Sequence, residues 1–454
     1  MEIDKLFFIP LEIDDGNIKG KYYILYVPLH GVASIVSDTE KQSLENKIYL
    51  ARGDYRQVEA LNNIIKMPER LVQMPPDNIE DVYEIDILAN YMCNFNCIYC
   101  YSARGRSQVE LKYEVACRLI DFLFGENHPA DKPYRINFSG GGEPLISFEL
   151  IKKIIAYIEA KAEHSNHKYI LQLVTNGSLV KKEHADFFKQ HSVNLVVSFA
   201  VLEKFQNRER GAYDRVVKTI DMLLDNGNKF GIRATITDES VYAMPQMVAE
   251  LHRRFPRLRT LVFDTVLSSD MFLTSEKLAE YYNRFLQGFC AAKETGERLG
   301  VEIHSTPIQL LEFIRTRTCF GKMVLTPLGS LSVCARVSSP VESEYGDFIY
   351  GSIDSTKGLV VDRTKFSSYM HEDTIESSEE CKTCYARLHC GGGCRLFRHC
   401  FNEESVKVDC DFKRRVVKMA LLARIENELH ASKGITLTEF ISRNLTEGID
   451  SVPH

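Results

Sequence analysis

The chain has 454 residues, of which 44% are hydrophobic and 26% charged, and its formal net charge is −6. That length predicts more than one domain, and the balance is that of a globular chain able to bury a core. The mildly acidic charge excludes a nucleic-acid or membrane-surface reading, and no apolar stretch approaches the ~20 residues of a membrane span.

The chain opens on an acidic segment, Met1 to Lys5, unlike the basic start of a secretory signal. Residues 1–82 are expected to form a small α+β unit. Apolar runs at 6–13, 22–29 and 31–37 read as strands, and 38–48 and 55–65 read as helices. Residues 68–77, with Pro75 and Pro76, read as a linker. From 83 to 305 strands and helices alternate. Strands are expected at 83–89, 134–138, 169–174, 195–199, 230–236 and 258–263, with helices at 148–164, 213–226 and 242–253 among those between them. Such βα repetition implies a parallel sheet with helices outside, because parallel crossovers need long connections. A helix at 275–299 follows. The third unit, 306–454, is dense in cysteine between 319 and 410 and ends in an amphipathic helix expected from 412 to about 430.

Thirteen cysteines in a chain without a secretory signal read as metal ligands in a reducing cytoplasm rather than as disulfides. The densest run is Cys93-x3-Cys97-x2-Cys100, just after the strand at 83–89, with Tyr99 before its last cysteine. Three thiolates on one loop can hold three corners of a cubane cluster and leave the fourth iron free. Structural zinc sites instead close all four positions. After the strand at 134–138 comes Gly140-Gly141-Gly142-Glu143-Pro144, where glycines allow close backbone approach and a carboxylate can accept from an ammonium group. Thr175-Asn176-Gly177 ends the third strand, Ser198 ends the fourth, and Arg233 lies on the fifth.

Together these motifs resemble the radical S-adenosylmethionine (SAM) superfamily. The resemblance implies a partial (β/α)6 TIM-type barrel with its chemistry at the C-terminal strand ends. It implies a [4Fe-4S] cluster on Cys93, Cys97 and Cys100, with SAM chelated at the open iron. Gly141, Gly142 and Glu143 would grip the SAM amino group beside Tyr99, and Thr175 and Asn176 would shape the site. Ser198 would hold the ribose or carboxylate end, and Arg233 would pair with the carboxylate. Reductive cleavage of SAM would then give a 5′-deoxyadenosyl radical that abstracts hydrogen from a substrate. The chain departs from the family's S-x-D-G pattern, with Ala200 where the aspartate stands.

A second array runs Cys319, Gly329-x4-Cys334, Cys381-x2-Cys384-x5-Cys390-x3-Cys394 and Cys410, and it matches the SPASM subfamily's seven-cysteine spacing. By that resemblance Cys381, Cys384, Cys390 and Cys410 would close one auxiliary [4Fe-4S] cluster. Cys319, Cys334 and Cys394 would hold another, whose fourth position is open, filled by Cys290 or Cys400, or taken by substrate. Cys117 and Cys290, at helical spacing from apolar neighbours, otherwise read as core residues.

SPASM enzymes mostly modify peptides or proteins. The family's sulfatase maturases carry an aspartate beside the Gly-x4-Cys cysteine, where this chain has Ala335. The leading expectation is therefore a cytoplasmic maturase that crosslinks a ribosomally made precursor peptide through a carbon–carbon or thioether bond. Its electron donor would be a flavodoxin or ferredoxin. The N-terminal unit would recognise the peptide in the manner of a winged-helix-like leader-binding domain. A sulfatase-maturase-like or small-molecule radical SAM enzyme is the alternative, as is a non-catalytic iron–sulfur scaffold. No residue stands out as a catalytic base.

Overall fold

In a computed structural model of the chain, residues 6–444 are described apart from 14–17, 19, 47–58, 60, 61, 65, 126–131 and 357. The apolar runs at the start form a three-stranded antiparallel sheet, β1 (Phe7–Leu11), β2 (Tyr22–Val27) and β3 (Val32–Ser37), in that order. Helix α1 (Asp38–Glu45) follows at once because Ser37 and Glu40 form a reciprocal capping box that satisfies its first N–H groups. The helix expected over 55–65 lies mostly outside the described residues. The expected linker contains a two-residue strand, β4 (Val72–Gln73).

The barrel strands are β5 (Glu84–Ile87), β6 (Tyr134–Phe138), β7 (Tyr169–Thr175), β8 (Asn194–Ser198), β9 (Phe230–Ile236), β10 (Thr260–Thr265) and β11 (Glu302–His304). They pair in parallel in chain order, with Ile85 beside Ile136 and Val197 beside Ile232 as examples of the register. Helices α2 (Tyr113–Leu123), α3 (Phe148–Ser165), α4 (Lys182–Gln190), α5 (Glu203–Glu209), α6 (Tyr213–Asn226) and α7 (Met244–Arg254) connect them, and α8 (Ser275–Leu299) precedes β11. Side chains alternate across a strand, so Ile85, Ile136, Leu171, Leu195, Ile232 and Leu261 join the core beneath the helices. Asp86, Asn137, Ser198, Arg233 and Asp264 then fall on the opposite, lumen face.

The sheet stays open. A two-residue strand β12 (Ile314–Arg315) pairs with β4, so the linker is fastened to the third unit. Strand β13 (Met323–Leu325) adds in parallel to β5, and β14 (Ser330–Ser332), β15 (Ile349–Asp354) and β16 (Gly358–Val361) continue antiparallel to an 11-stranded sheet. The last long helix, α9 (Glu403–Lys433), starts well before the expected residue 412. Asn402 caps it by accepting from Ser405 N, and Glu403 and Glu404 suit its positive end. Cys410 therefore sits inside a helix.

The first sheet rests on this helix. Ile9, Tyr22, Ile24, Tyr26 and Ile35 share one core with Ala386, Val417, Leu421, Ile425, Leu429 and Ile441, the last in α10 (Leu437–Asn444). The buried Tyr26 hydroxyl bonds His389 Nε2, and His389 Nδ1 donates to the Phe313 carbonyl at 3.0 Å. Among the described residues no helix is long and apolar enough to cross a membrane.

Candidate active site

Strand β5 runs directly into the cysteine loop, whose base is pinned on two sides. Leu88 N donates to Leu325 O at 3.0 Å and Leu111 N to Ala89 O at 2.9 Å. Within the loop Cys100 N donates to Cys97 O and Ala103 N to Cys100 O, each at 3.1 Å, so the short spacings are wound as successive turns. From outside, the end of α5 holds it: Ile98 N reaches Glu209 O at 3.1 Å, and Arg210 Nη1 donates to the Tyr99 hydroxyl at 2.8 Å.

The glycines after β6 serve this loop as well as a ligand. Gly142 N donates to Asn90 O at 3.0 Å and Glu143 N to Met92 O at 2.7 Å. A Cβ on Gly142 would lie 1.8 Å from Met92 O, and one on Gly141 (φ +68°) would lie 2.4 Å from Asn90 O. No larger residue fits the first position, because backbone blocks it. Glu143 is 2% exposed. Its Oε1 accepts from Thr175 Oγ1 at 2.7 Å and its Oε2 from Asn176 N at 2.8 Å. Burial raises its carboxyl pKa, while the bonds from Asn176 and Thr175 oppose that rise. A carboxylate has further lone pairs, so these bonds leave it able to accept from an ammonium group. Asn176 Nδ2 donates to Asn94 Oδ1 at 2.9 Å, and Asn94 Nδ2 to Ser178 Oγ at 2.8 Å, which ties the cysteine loop to the end of β7.

One cavity of about 270 Å³ gathers Cys93, Cys97, Tyr99, Cys100, Gly141, Gly142, Glu143, Thr175, Asn176, Ser198 and Arg233. Ser198 and Arg233 are register neighbours on β8 and β9. Arg233 Nε stands 3.2 Å from Asp264 Oδ2, so this arginine already has a carboxylate beside it. The sequence reading missed four charged residues that line the same space, Arg106, Arg210, Asp264 and Arg336. Arg106, six positions beyond Cys100 in the basic Arg104-Gly105-Arg106 segment, offered a local signal; the others did not. Arg106 donates to Asn96 Oδ1 at 3.1 Å. Burial raises the Cys93 and Cys97 thiols, and the positive fields of Arg106 and Arg210 oppose this at Cys97.

Seven of the ten remaining cysteines fall into two sets. Burial pushes Cys334 up to about 12, with Cys319 and Cys394 adding to the rise. Burial pushes Cys390 up to about 11, with Cys410 and Cys384 close enough to contribute, and Cys410 in turn feels Cys381. Cys400 is half-buried and within the field of Cys394. Cys290 is not in the core: it is exposed on α8, with Sγ 3.4 Å from Met419 Sδ. Cys117 is half-buried and bonds Tyr113. Among the described residues no three His, Cys, Asp or Glu side chains converge as a finished ligand sphere. The donor chemistry nonetheless suits an iron–sulfur group: three thiols on one loop border an open cavity, and such thiols must lose their protons to a metal.

An open parallel barrel with a three-thiol loop facing a glycine–glutamate cradle defines a SAM-dependent iron–sulfur protein. Residues 87–244 match the radical SAM superfamily. That match implies a [4Fe-4S] cluster and SAM. The serine-type anaerobic sulfatase-maturating enzyme of Klebsiella aerogenes is 24% identical over 327 residues, covering 66% of this chain and 76% of that one. Native anSMEcpe with bound AdoMet superposes with a TM-score of 0.59 at 17% identity, over 74% of this chain and 98% of that one. Streptococcus suis SuiB bound to precursor peptide SuiA gives 0.51 at 14% identity, over 88% and 97%. At these identities the two structures show a shared fold. An uncharacterised Methanocaldococcus jannaschii protein, 28% identical over 165 residues, is spanned over only 54% of its length.

Proposed function

We propose that the chain is a peptide-modifying radical SAM enzyme that crosslinks a precursor peptide through a carbon–carbon or thioether bond. The observation that carries this reading is the single cavity where the three-thiol loop meets Glu143, Thr175, Asn176 and Ser198. Cys93, Cys97 and Cys100 would hold a [4Fe-4S] cluster, and the cradle would hold SAM. Bound together, they supply a reductive cleavage that delivers a hydrogen-abstracting 5′-deoxyadenosyl radical. The protein's own part is positional. Glu143 locks Thr175 and Asn176 and would face the SAM amino group, Arg210 fixes Tyr99, and the buried strand ends would keep water from a reacting carbon.

The two further cysteine sets would hold auxiliary clusters that accept the surplus electron. Cys400, in the field of Cys394, is the better candidate than exposed Cys290 for any fourth protein ligand there. A cytoplasmic flavodoxin or ferredoxin would supply the reducing electron. The likeness to SuiB, bound to its precursor peptide, supports a peptide substrate and residues 1–82 as its recognition unit. The likeness to a sulfatase-maturating enzyme supports the broader protein-modifying reading. Ala335 disfavours the sulfatase branch.

Reduced, reconstituted protein should convert SAM to 5′-deoxyadenosine. Each short peptide encoded beside the gene, co-expressed anaerobically with the enzyme, should be weighed intact, and the true substrate should emerge lighter by a pair of hydrogens. No 5′-deoxyadenosine under strict anaerobiosis would favour the scaffold reading. Cleavage without any change in peptide mass would move the substrate to another class.

A further inference from the structure

The cavity carries more positive charge than SAM requires. Four arginines line it, Arg106, Arg210, Arg233 and Arg336, against two carboxylates, Glu143 and Asp264. Three of the four have work. Arg106 and Arg210 are bonded to Asn96 and Tyr99 in or beside the cysteine loop, where their charge acts on the thiol of Cys97. Arg233 stands against Asp264, whose Oδ1 also accepts from Thr306 N at 3.3 Å. Glu143 is engaged by Thr175 and Asn176.

Arg336 differs. It follows Cys334 and Ala335 in the segment beyond β14, and its guanidinium lies 5.2 Å from the centre of the Tyr101 ring. Among the described residues that guanidinium has no carboxylate partner. The Tyr101 ring beside it is exposed. A half-buried guanidinium facing a ligand cavity is a fork built for a carboxylate, which it can take through two parallel bonds.

We propose that Arg336 receives a carboxylate of the peptide substrate, so that the segment presented for modification is acidic. This rests on the peptide-modifying reading above. The carboxylate comes from an aspartate or glutamate side chain or from the peptide's own C-terminus; the chemistry of recognition is the same. Other guanidinium nitrogens in the cavity, on Arg106, Arg210 and Arg233, are also buried without a hydrogen-bond partner and remain free for SAM's own carboxylate.

The test uses reconstituted, unreduced holoenzyme saturated with SAM, so that binding is read without turnover. Three peptides are titrated by ligand-observed NMR: acetyl-trialanine amide, the same peptide with a central aspartate, and acetyl-trialanine with a free C-terminal acid. One acidic peptide should bind about tenfold more tightly than the neutral one, and Arg336→Gln should erase that margin while Arg336→Lys restores part of it. Preference for the aspartate peptide assigns a side chain; preference for the free acid assigns the terminus. Equal binding of all three peptides, no measurable binding, or an acidic preference that survives Arg336→Gln overturns the proposal. So does a loss of SAM affinity in Arg336→Gln without loss of peptide discrimination, which would make Arg336 a SAM contact. Formation of 5′-deoxyadenosine by the wild type, measured separately, reports on the underlying radical reading whichever way the peptides fall.

Discussion

The two cysteine regions gather their thiols by opposite routes. In the barrel loop three thiols lie within eight residues, and local turns such as Cys100 N to Cys97 O already bring them near one another. The C-terminal thiols are drawn from the segment between β12 and β13, from the segment after β14, from short helical turns around 379–400 and from the interior of α9. The first site is a property of a loop, and the second is a property of a fold. A local site can lose a ligand without unfolding its surroundings, whereas a distributed one is coupled to the packing that assembles it.

The sharpest break of that contrast is at Cys97. Cys97→Ala should lower bound iron by about four atoms per chain and 5′-deoxyadenosine formation by about three orders of magnitude or more. Its effect on unfolding free energy should stay below about 1 kcal/mol. Iron analysis, product chromatography and anaerobic denaturation read all three.

Next is Cys410→Ala in α9, which should lose iron and also lower stability by more than about 3 kcal/mol, because this helix carries both one thiol of the distributed set and the core under the N-terminal sheet. Equal stability losses in the two cysteine variants would dissolve the distinction.

The smallest expected effect is at Tyr26→Phe. It removes the buried hydroxyl that bonds His389 Nε2 and should lower stability by about 1–3 kcal/mol with SAM affinity unchanged. A neutral result would mean that the N-terminal sheet is not held through this bond. The shared core also bears on any truncation. Removing residues 1–82 would strip Ile9, Ile24, Tyr26 and Ile35 from Val417, Leu421 and Ile425, so point variants separate recognition from stability better than deletion does.

Where apolar alternation and terminators agreed, the barrel was legible. Strands Tyr134–Phe138 and Phe230–Ile236 and helix Tyr213–Asn226 stand where the pattern placed them, the helix ending at Gly227 with φ +70°. The start of α9 was not legible from apolar period, because residues 403–409 are mostly polar; its signal was the Asn402 cap. The strand at Val72–Gln73 had no local signal, since it exists only through Ile314–Arg315.

The sequence by itself determined the chemistry. Thiol spacing, the glycine–glutamate motif and the βα rhythm name the family because each is set by residues near one another in the chain. Only the tertiary structure decided which charges share the cavity. Arg210 comes from the end of α5, Asp264 from β10, and Arg336 from the segment beyond β14. It also decided that Gly141 and Gly142 are needed against the backbone of Asn90 and Met92, and that the N-terminal sheet is part of the C-terminal core. Such contacts join residues far apart in sequence, and their partners are fixed by packing and register, which no single segment encodes.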